Sequence, residues 1–307
     1  MLCAGLDPIP ERFPAQFSPD AAGCLAFCRQ LVDAVAAEVC AFKPQIAHFG
    51  ALGAENELAE LIAYIHQRHP SVPVILDAKR GDIGSTAARY ACEAFSRYGA
   101  DAVTVNPFLG PDSVVPFLEW TDRGVVVLCR TSNPDGGWIQ GEASDPEPVY
   151  MRIAKAAVGW NTAGNVMLVT GATYPAELAR IRTAAPDVPF LVPGIGSQGG
   201  DIDAAVAAGL DDQGRGLVVN VSRDIMYASA GEDFAQGALA AARRYKLAIN
   251  KARERSLRQQ AAPRQVSDRY ANHLNINRLG SLSFVISITI GGSASAAAWG
   301  TLPAFRK

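Results

Sequence analysis

A short charged stretch that follows an apolar segment contains the residue types with the most definite chemistry in this sequence. The largely β-branched run 72–76 predicts a strand buried on both faces, and Asp77, Lys79 and Asp82 come at its end. Because side chains alternate along a strand, we expect Asp77 and Lys79 on the same side. A lysine held between carboxylates stays protonated, so it can donate a proton to a carbon centre while the carboxylates supply negative charge.

An ion-pair cluster on a surface loop is the alternative explanation for these charges. Two features favour a functional site: the cluster comes at the end of a buried strand, and Asp82 follows Lys79 by only three residues. In a parallel α/β protein, active sites lie at this end of the strands. The stretch therefore predicts the position of an active site if the rest of the chain forms such a sheet.

One pattern repeats between Leu2 and about Lys251, in which a short apolar strand precedes a polar loop and an amphipathic helix. The predicted strands are Leu2–Leu6, Val39–Lys43, Val72–Asp77, Ala102–Val105, Val125–Cys129, Val166–Thr170, Pro189–Val192 and Leu217–Val221. The predicted helices lie near Asp20–Val35, Ala54–Gln67, Ile83–Tyr98, Asp112–Glu119, Pro148–Trp160, Pro175–Ala184, Asp201–Ala208 and Glu232–Lys251. Eight such units in about 250 residues predict a (β/α)8 TIM barrel. A doubly wound open sheet is the alternative, although it usually has fewer strands.

Polar residues stand at the end of every predicted strand, and in a barrel these ends converge on one mouth. Asp7 follows the first strand, Lys43 ends the second, and Ser132 and Asn133 follow the fifth. Lys43 needs a partner because it ends an otherwise apolar strand, and Asp7 is the nearest candidate by strand order. Ser132 and Asn133 could form hydrogen bonds to a neutral ring, but a simple Ser/Asn-Pro turn explains them equally well.

The seventh and eighth strand ends carry the features of a phosphate site. The loop 194–200 contains four glycines, among them Gly196, ahead of a helix that starts near Asp201. Glycines let backbone N–H groups approach an anion, and a helix N-terminus favours negative charge. Arg223, after the eighth strand, suits bidentate phosphate contact. A flexible glycine turn beside a surface arginine is the alternative.

Composition indicates an ordinary globular protein and argues against several classes of binding partner. The chain has 307 residues, 49% of them hydrophobic, and a net charge of −2, which argues against a general nucleic-acid binder or a polybasic membrane binder. Six cysteines without a CxxC motif are typical of reduced thiols in a cytoplasmic protein. The four histidines show no metal-ligand spacing, and we expect no signal peptide because the first apolar run begins at Leu2.

The residues after the repeating pattern differ in composition. We expect residues 1–251 to form the barrel and 252–307 to form a C-terminal tail that is disordered or loosely packed. The tail begins with a basic, polar stretch, and residues 279–305 then carry no charge. Glycines and serines interrupt this uncharged stretch, so a membrane span is the less favoured interpretation.

The charged stretch also carries a family resemblance. Its sequence, DAKRGDIGST, matches the DxKxxDIxxT signature of orotidine 5′-phosphate decarboxylase, and the runs FKPQIAHFGALG, VTVNPFLGPDS, RTSNP and VPGIGSQGGD resemble the bacterial subgroup often called type 2. The resemblance covers residues 2 to about 251. It implies a (β/α)8 barrel that converts orotidine 5′-monophosphate to uridine 5′-monophosphate. It further implies that the enzyme uses no metal or organic cofactor and forms a homodimer with shared active sites.

The resemblance also implies roles for individual residues. Asp77, Lys79, Asp82 and Lys43 would form a charged network, in which Lys79 protonates C6 of the pyrimidine and Asp77 lies against the substrate carboxylate. The implied substrate-binding residues are Asp7 for the ribose hydroxyls, Ser132 for the pyrimidine edge, Gly196, Gln198 and Arg223 for the phosphate, and Ile83 and Thr86, which with Asp82 reach the partner's site.

Two departures from the family pattern accompany the resemblance. The chain opens almost on its first strand, where family members usually carry a short helix, and Ser222 takes the place of the usual glycine before Arg223. Two other functions stay open at this point. One is metal-assisted aldol or decarboxylation chemistry on sugar phosphates within the same superfamily, and the other is a non-catalytic phosphate-binding barrel.

Overall fold

Short apolar runs form a ring of eight parallel strands, as the repeating pattern predicts. The computed structural model describes residues 1–141, 147–196 and 199–261. The strands are β1 (Leu2–Leu6), β2 (Ala41–Pro44), β3 (Ile75–Arg80), β4 (Ala102–Val105), β5 (Gly124–Arg130), β6 (Val166–Thr170), β7 (Phe190–Val192) and β8 (Leu217–Val221). They pair in the order β2-β1-β8-β7-β6-β5-β4-β3, and isolated bridges between β2 and the start and middle of the β3 segment complete the ring. The TIM barrel is confirmed, and the open-sheet alternative is wrong.

Helices cover the outside of the ring. They are α1 (Ala21–Val35), α2 (Ile46–Ala51), α3 (Glu55–Arg68), α4 (Gly84–Cys92), α5 (Val115–Leu118), α6 (Gly137–Gln140), α7 (Val149–Trp160), α8 (Pro175–Ala184), α9 (Ile202–Gly209), α10 (Arg223–Met226) and α11 (Phe234–Ala261). The predicted helix over 83–98 is α4 followed by a π-helical segment, Glu93–Arg97. The short helices α2, α6 and α10 lie within loops and were not predicted, since four to six residues show no clear period.

The interior of the barrel changes from apolar to polar within one step of strand alternation. Its apolar layer is a cluster of buried inward-facing side chains, namely Cys3, Ala41, Ile75, Ala102, Val126, Val169 and Leu191. Two residues further along β2, β3 and β4 stand Lys43, Asp77 and Thr104, all of them buried. Because side chains alternate, these polar residues face the same interior as the apolar layer but lie nearer the carboxyl end of the barrel.

The last helix extends beyond the predicted end of the barrel. α11 continues past Lys251 to Ala261, and Ala252 and Ser256 on it are buried. Ala252 and Ser256 are four residues apart and lie on one packed face of the helix, whereas the residues between them, 253–255, are charged. Residues 262–307, which include most of the expected tail, lie outside the described residues. In the part of the chain that the structure describes, no helix combines the length and apolarity needed to cross a membrane.

One buried arginine, Arg182, connects the segments that precede β7 and β8 with the end of α9. Arg182 of α8 donates hydrogen bonds to five backbone carbonyls, those of Ala185, Pro186, Val188, Gly209 and Gly216, at 2.8 to 3.1 Å. Its guanidinium also lies 3.7 Å from the centre of the Phe190 ring. Burial lowers the pKa of Arg182 to about 10, so the group stays charged at neutral pH and keeps all its donors.

Replacing Arg182 with leucine is expected to lower the free energy of unfolding by at least about 3 kcal/mol, because several buried carbonyls lose their donor. Urea denaturation followed by circular dichroism measures this change. Arg258→Leu is the matched control, since its side chain is 82% exposed and pairs with Glu254, one turn earlier in the helix. Equal unfolding free energies for the two variants would contradict the role given to Arg182.

Candidate active site

A cavity of about 390 Å³ opens at the carboxyl ends of the strands. The ring of strands brings residues that are far apart in the sequence to one wall, as the strand-end prediction required. Six predicted site residues line it: Asp7, Lys43, Asp77, Lys79, Ser132 and Arg223. The polar mouth therefore contains charged groups for chemistry on one side and an arginine suited to an anion on the other.

Asp77 lies between two lysines at the centre of the charged cluster. Its Oδ2 accepts a hydrogen bond from Lys43 Nζ at 2.6 Å, and its Oδ1 accepts one from Lys79 Nζ at 2.6 Å. The side chains of Lys43 and Asp77 are 6% and 9% exposed, whereas that of Lys79 is 47% exposed. All three residues line the cavity, and Lys79 is the most exposed of them, so its ammonium group has the easiest access to a ligand and to water.

The two lysines determine the charge of Asp77. Burial alone would raise the pKa of this carboxyl, but Lys43 and Lys79 outweigh burial and hold the pKa of Asp77 well below its ordinary range. Burial likewise acts to lower the pKa of Lys43, and the carboxylates of Asp77 and Asp7 outweigh it, so that the pKa of Lys43 is raised. Asp77 and Lys43 therefore stay ionised across the physiological pH range.

Lys43 finds its direct partner in Asp77, so the expectation that Asp7 would pair with it is wrong. The barrel places β3 next to β2, and the parallel bridge between Gln45 and Asp77 sets the register that brings the two side chains together. Asp7 contributes to Lys43 only through its charge. Strand order named Asp7 as the nearest candidate, but β3 also lies beside β2, and the register between these two segments brings Asp77 to Lys43.

A local irregularity in the backbone at the end of β3 includes Lys79. The pairing of β3 with β4 shifts register between Leu76 and Arg80, and Lys79 has a φ of +46°, the one positive value among the described non-glycine residues. Thr104 holds this segment: its Oγ1 accepts the backbone N–H groups of Ala78 and Lys79 at 3.0 and 2.9 Å and donates to Asp77 Oδ1 at 2.9 Å. Thr104 thus fixes both the carboxylate and the lysine backbone.

The loop after β5 places Ser132 at the cavity wall. Gly171, at the end of β6, comes so close that a Cβ there would lie 2.6 Å from Ser132 Cα, which explains the glycine. Thr173 Oγ1 donates to the Ser132 carbonyl at 2.9 Å. At the base of the loop the buried Arg130 pairs with Glu177 and stacks on Tyr174. These contacts hold the Ser132 backbone where a planar ring could receive its hydrogen bonds.

The glycine loop after β7 forms the other side of the mouth. Gly194, Gly196 and Gly199 all have positive φ, a conformation that favours glycine. Gly194 and Ile195 line the cavity, as does Arg223 at the first position of α10. At the start of α9, the Asp201 carboxylate accepts the N–H groups of Asp203 and Ala204, so these two groups are not free for an anion. An anion here would meet loop backbone and Arg223.

Other predicted site residues lie elsewhere. Asp82, Ile83 and Thr86 do not line the cavity of their own chain, and Ile83 is 53% exposed on the outer surface. Gly196 does not line this cavity but a neighbouring one, and a Cβ at this position would clash with the Asp224 carboxylate. Gln198 lies outside the described residues.

Further polar residues line the cavity, and two of them, which stand within strands, had no signal in the sequence. Thr104 is described above, and Asn220 of β8 lines the cavity with its Oδ1 buried and unpartnered among the described residues. Both stand in apolar strands where a single polar residue is common, and only the inward direction of their side chains gives them a role. His, Cys, Asp and Glu side chains form no group of three that could hold a metal ion in the described ranges.

Comparison with known sequences identifies the family. A family model described as "Orotidine 5'-phosphate decarboxylase / HUMPS family" matches residues 1–238. An orotidine 5′-phosphate decarboxylase of Azoarcus sp. is 57% identical over 253 residues, covering 81% of this chain and 93% of that protein. One of Cupriavidus necator is 54% identical over 254 residues, covering 82% and 93%.

Solved structures agree with the sequence comparison. The OMP decarboxylase of Leishmania donovani has 38% identity and a TM-score of 0.72, covering 82% of this chain and 93% of that one. The UMP synthase of the same organism has 41% identity and a TM-score of 0.74, covering 82% of this chain and 53% of that longer one. With its barrel, its lysine-flanked aspartate and these relatives, the chain belongs to the orotidine 5′-phosphate decarboxylase family.

Proposed function

We propose that this protein decarboxylates orotidine 5′-monophosphate to uridine 5′-monophosphate, the last step of de novo synthesis of that nucleotide. The observation that carries the proposal is the Asp77 carboxylate held between Lys43 and Lys79 at the mouth of the barrel. The family membership and the relatives named above support the same activity.

The chemistry requires a group that stabilises a carbanion. When the bond between C6 and the carboxylate breaks, carbon dioxide leaves and the electron pair stays on C6, which has no adjacent electron sink. The Lys79 ammonium, fixed by Asp77 and open to the cavity, stabilises this charge and transfers a proton from Nζ to C6. Lys79 then regains a proton from water, to which its half-exposed side chain has access.

Asp77 acts through its negative charge. Placed beside the substrate carboxylate, it would disfavour the bound substrate more than the transition state, in which that carboxylate is losing its charge. Lys43 supports this role because its buried ammonium keeps Asp77 ionised. The buried pair thus holds one negative charge at the place where carbon dioxide forms.

The phosphate binds away from the reacting carbon. Arg223 follows β8 and the glycine loop follows β7, three and four strands around the ring from Lys79 on β3, and both supply donors for a phosphate. Binding energy from this distant group can orient the ring and order the loops before the bond breaks. Ser132 and, outside the described residues, Gln198 are our candidates for the pyrimidine edge and the phosphate.

We further propose a homodimer in which Asp82, Ile83 and Thr86 complete the site of the partner subunit. Their absence from the cavity of their own chain and the exposure of the apolar Ile83 side chain support this arrangement. We also propose a cytoplasmic location, which agrees with six free cysteines, four of them buried.

The ultraviolet spectrum of orotidine 5′-monophosphate, followed during incubation with the protein, tests the proposed activity. We expect the spectrum to change to that of the decarboxylated nucleotide at the same rate with and without EDTA. Loss of activity in EDTA would favour the metal-assisted sugar-phosphate class. An unchanged spectrum despite nucleotide binding would favour a non-catalytic phosphate-binding barrel.

Lys79→Ala is expected to reduce turnover at least about 10³-fold, because both the charge that stabilises the carbanion and the proton donor are lost. Nucleotide binding should survive, since the phosphate contacts are on the other side of the mouth. Steady-state kinetics and calorimetric titration with uridine 5′-monophosphate measure the two effects. Lys155→Ala, a surface lysine paired with Glu147, is the control. Carbon dioxide release near the parent rate would rule out the assigned role.

Arg223→Ala is expected to weaken binding of uridine 5′-monophosphate by about 10- to 100-fold, the effect of losing charge-assisted hydrogen bonds to a phosphate. Binding of uridine, which has no phosphate, should change little. Calorimetric titration with both ligands measures the difference, and Arg243→Ala, at an exposed ion pair with Glu38, is the control. Equal affinity of the parent protein for uridine and its monophosphate would refute the assignment.

A further inference from the structure

A serine outside the charged network contacts the carboxylate that is the candidate for the ribose. Ser222 ends the turn between β8 and α10, and its Oγ donates a hydrogen bond to Asp7 Oδ2 at 2.6 Å. The other oxygen, Oδ1, has no partner among the described residues. Both residues line the cavity. The serine thus fixes Oδ2, which as a carboxylate oxygen can accept a second hydrogen bond from a ligand, whereas Oδ1 is buried.

The backbone of Asp7 is held by other contacts. Its N–H lies 3.0 Å from Met226 Sδ, and its carbonyl accepts a hydrogen bond from Tyr227 Oη at 3.2 Å. Tyr227 Oη also accepts the Ile9 N–H at 2.6 Å. Ser222 Oγ also lies 3.9 Å from Met226 Sδ, but the contacts of the Asp7 backbone are made by other donors and acceptors. Removing the serine hydroxyl should therefore release the Asp7 side chain while the loop keeps its backbone contacts.

The close fit between Ser222 and β1 depends on a glycine. A Cβ at Gly5 would lie 2.6 Å from Ser222 Cβ and 3.0 Å from its Oγ. Real Cβ atoms do not approach so closely, so a side chain at residue 5 would push the serine away from Asp7. Gly5 and Ser222 therefore act together: the glycine provides the space, and the serine uses it to reach the Asp7 carboxylate, which follows the end of β1.

We propose that Ser222 is a positioning residue that orients the Asp7 carboxylate to accept a ribose hydroxyl of the nucleotide. A carboxylate fixed before binding loses less side-chain freedom when the ligand arrives, which favours the ribonucleotide. Since Ser222 directly precedes Arg223, one short turn connects recognition of the sugar with recognition of the phosphate. The proposal rests on the proposed function, because it takes the ligand to be a nucleoside monophosphate.

The test compares uridine 5′-monophosphate with its 2′,3′-dideoxy analogue, which has no hydroxyl for Asp7. Calorimetric titration gives both dissociation constants in the parent protein and in Ser222→Ala. The quantity compared is the dissociation constant of the analogue divided by that of uridine 5′-monophosphate. We expect this ratio to fall about tenfold in the variant, because affinity for the ribonucleotide drops while affinity for the analogue stays the same. Ser229→Ala is the matched control, since Ser229 also donates to a carboxylate, that of Asp233, outside the cavity.

Two further variants complete the test. Asp7→Asn should lower the ratio at least as far as Ser222→Ala, and Ser222→Gly should reproduce the effect if the alanine variant proves unstable in thermal melting. The proposal is overturned if the parent does not discriminate between the two ligands. It is also overturned if Ser222→Ala weakens both ligands equally or leaves the ratio unchanged, or if Asp7→Asn has no effect on it.

The kinetic assay separates this proposal from the proposed function. A parent protein that binds both ligands with a Ser222-dependent ratio, yet leaves orotidine 5′-monophosphate unchanged, would refute the activity and support the positioning role. A parent that decarboxylates its substrate and shows no Ser222-dependent ratio would refute only the positioning role.

Discussion

The ion pair between Lys43 and Asp77 is the interaction on which the rest of the site depends. Two charges buried to this degree are tolerable only when they meet each other directly, and their contact at 2.6 Å meets that requirement. The pair forms because β2 and β3 close the barrel in one register. A shift of one residue would turn the Asp77 side chain away from the interior, so the closure of the barrel and the charge in its mouth depend on each other.

The two lysines that contact Asp77 differ in their exposure. Lys43 is buried and balances the charge of Asp77, whereas Lys79 shares the carboxylate and stays accessible. Under the proposed function, the buried lysine balances the charge of the carboxylate and the exposed lysine supplies the proton.

The strands and the charged cluster were predictable because their signals are local. Apolar runs such as 217–221 and the spacing of Asp77 and Lys79 stand within a few residues of one another, and alternation alone gives their direction. Thr104 and Asn220 could not be found in this way, because their role appears only when the barrel turns their side chains inward. The partner of Lys43 depended likewise on a register that no short stretch specifies.

The left-handed backbone at Lys79 carries a consequence for any attempt to make this enzyme more robust. Such a conformation costs an ordinary residue about 1 kcal/mol relative to glycine, so a screen that rewards thermal resistance should favour glycine at this position. That replacement would relax the chain and delete the ammonium. Robustness and turnover are therefore opposed at this residue, and engineering for heat tolerance has to begin elsewhere in the barrel.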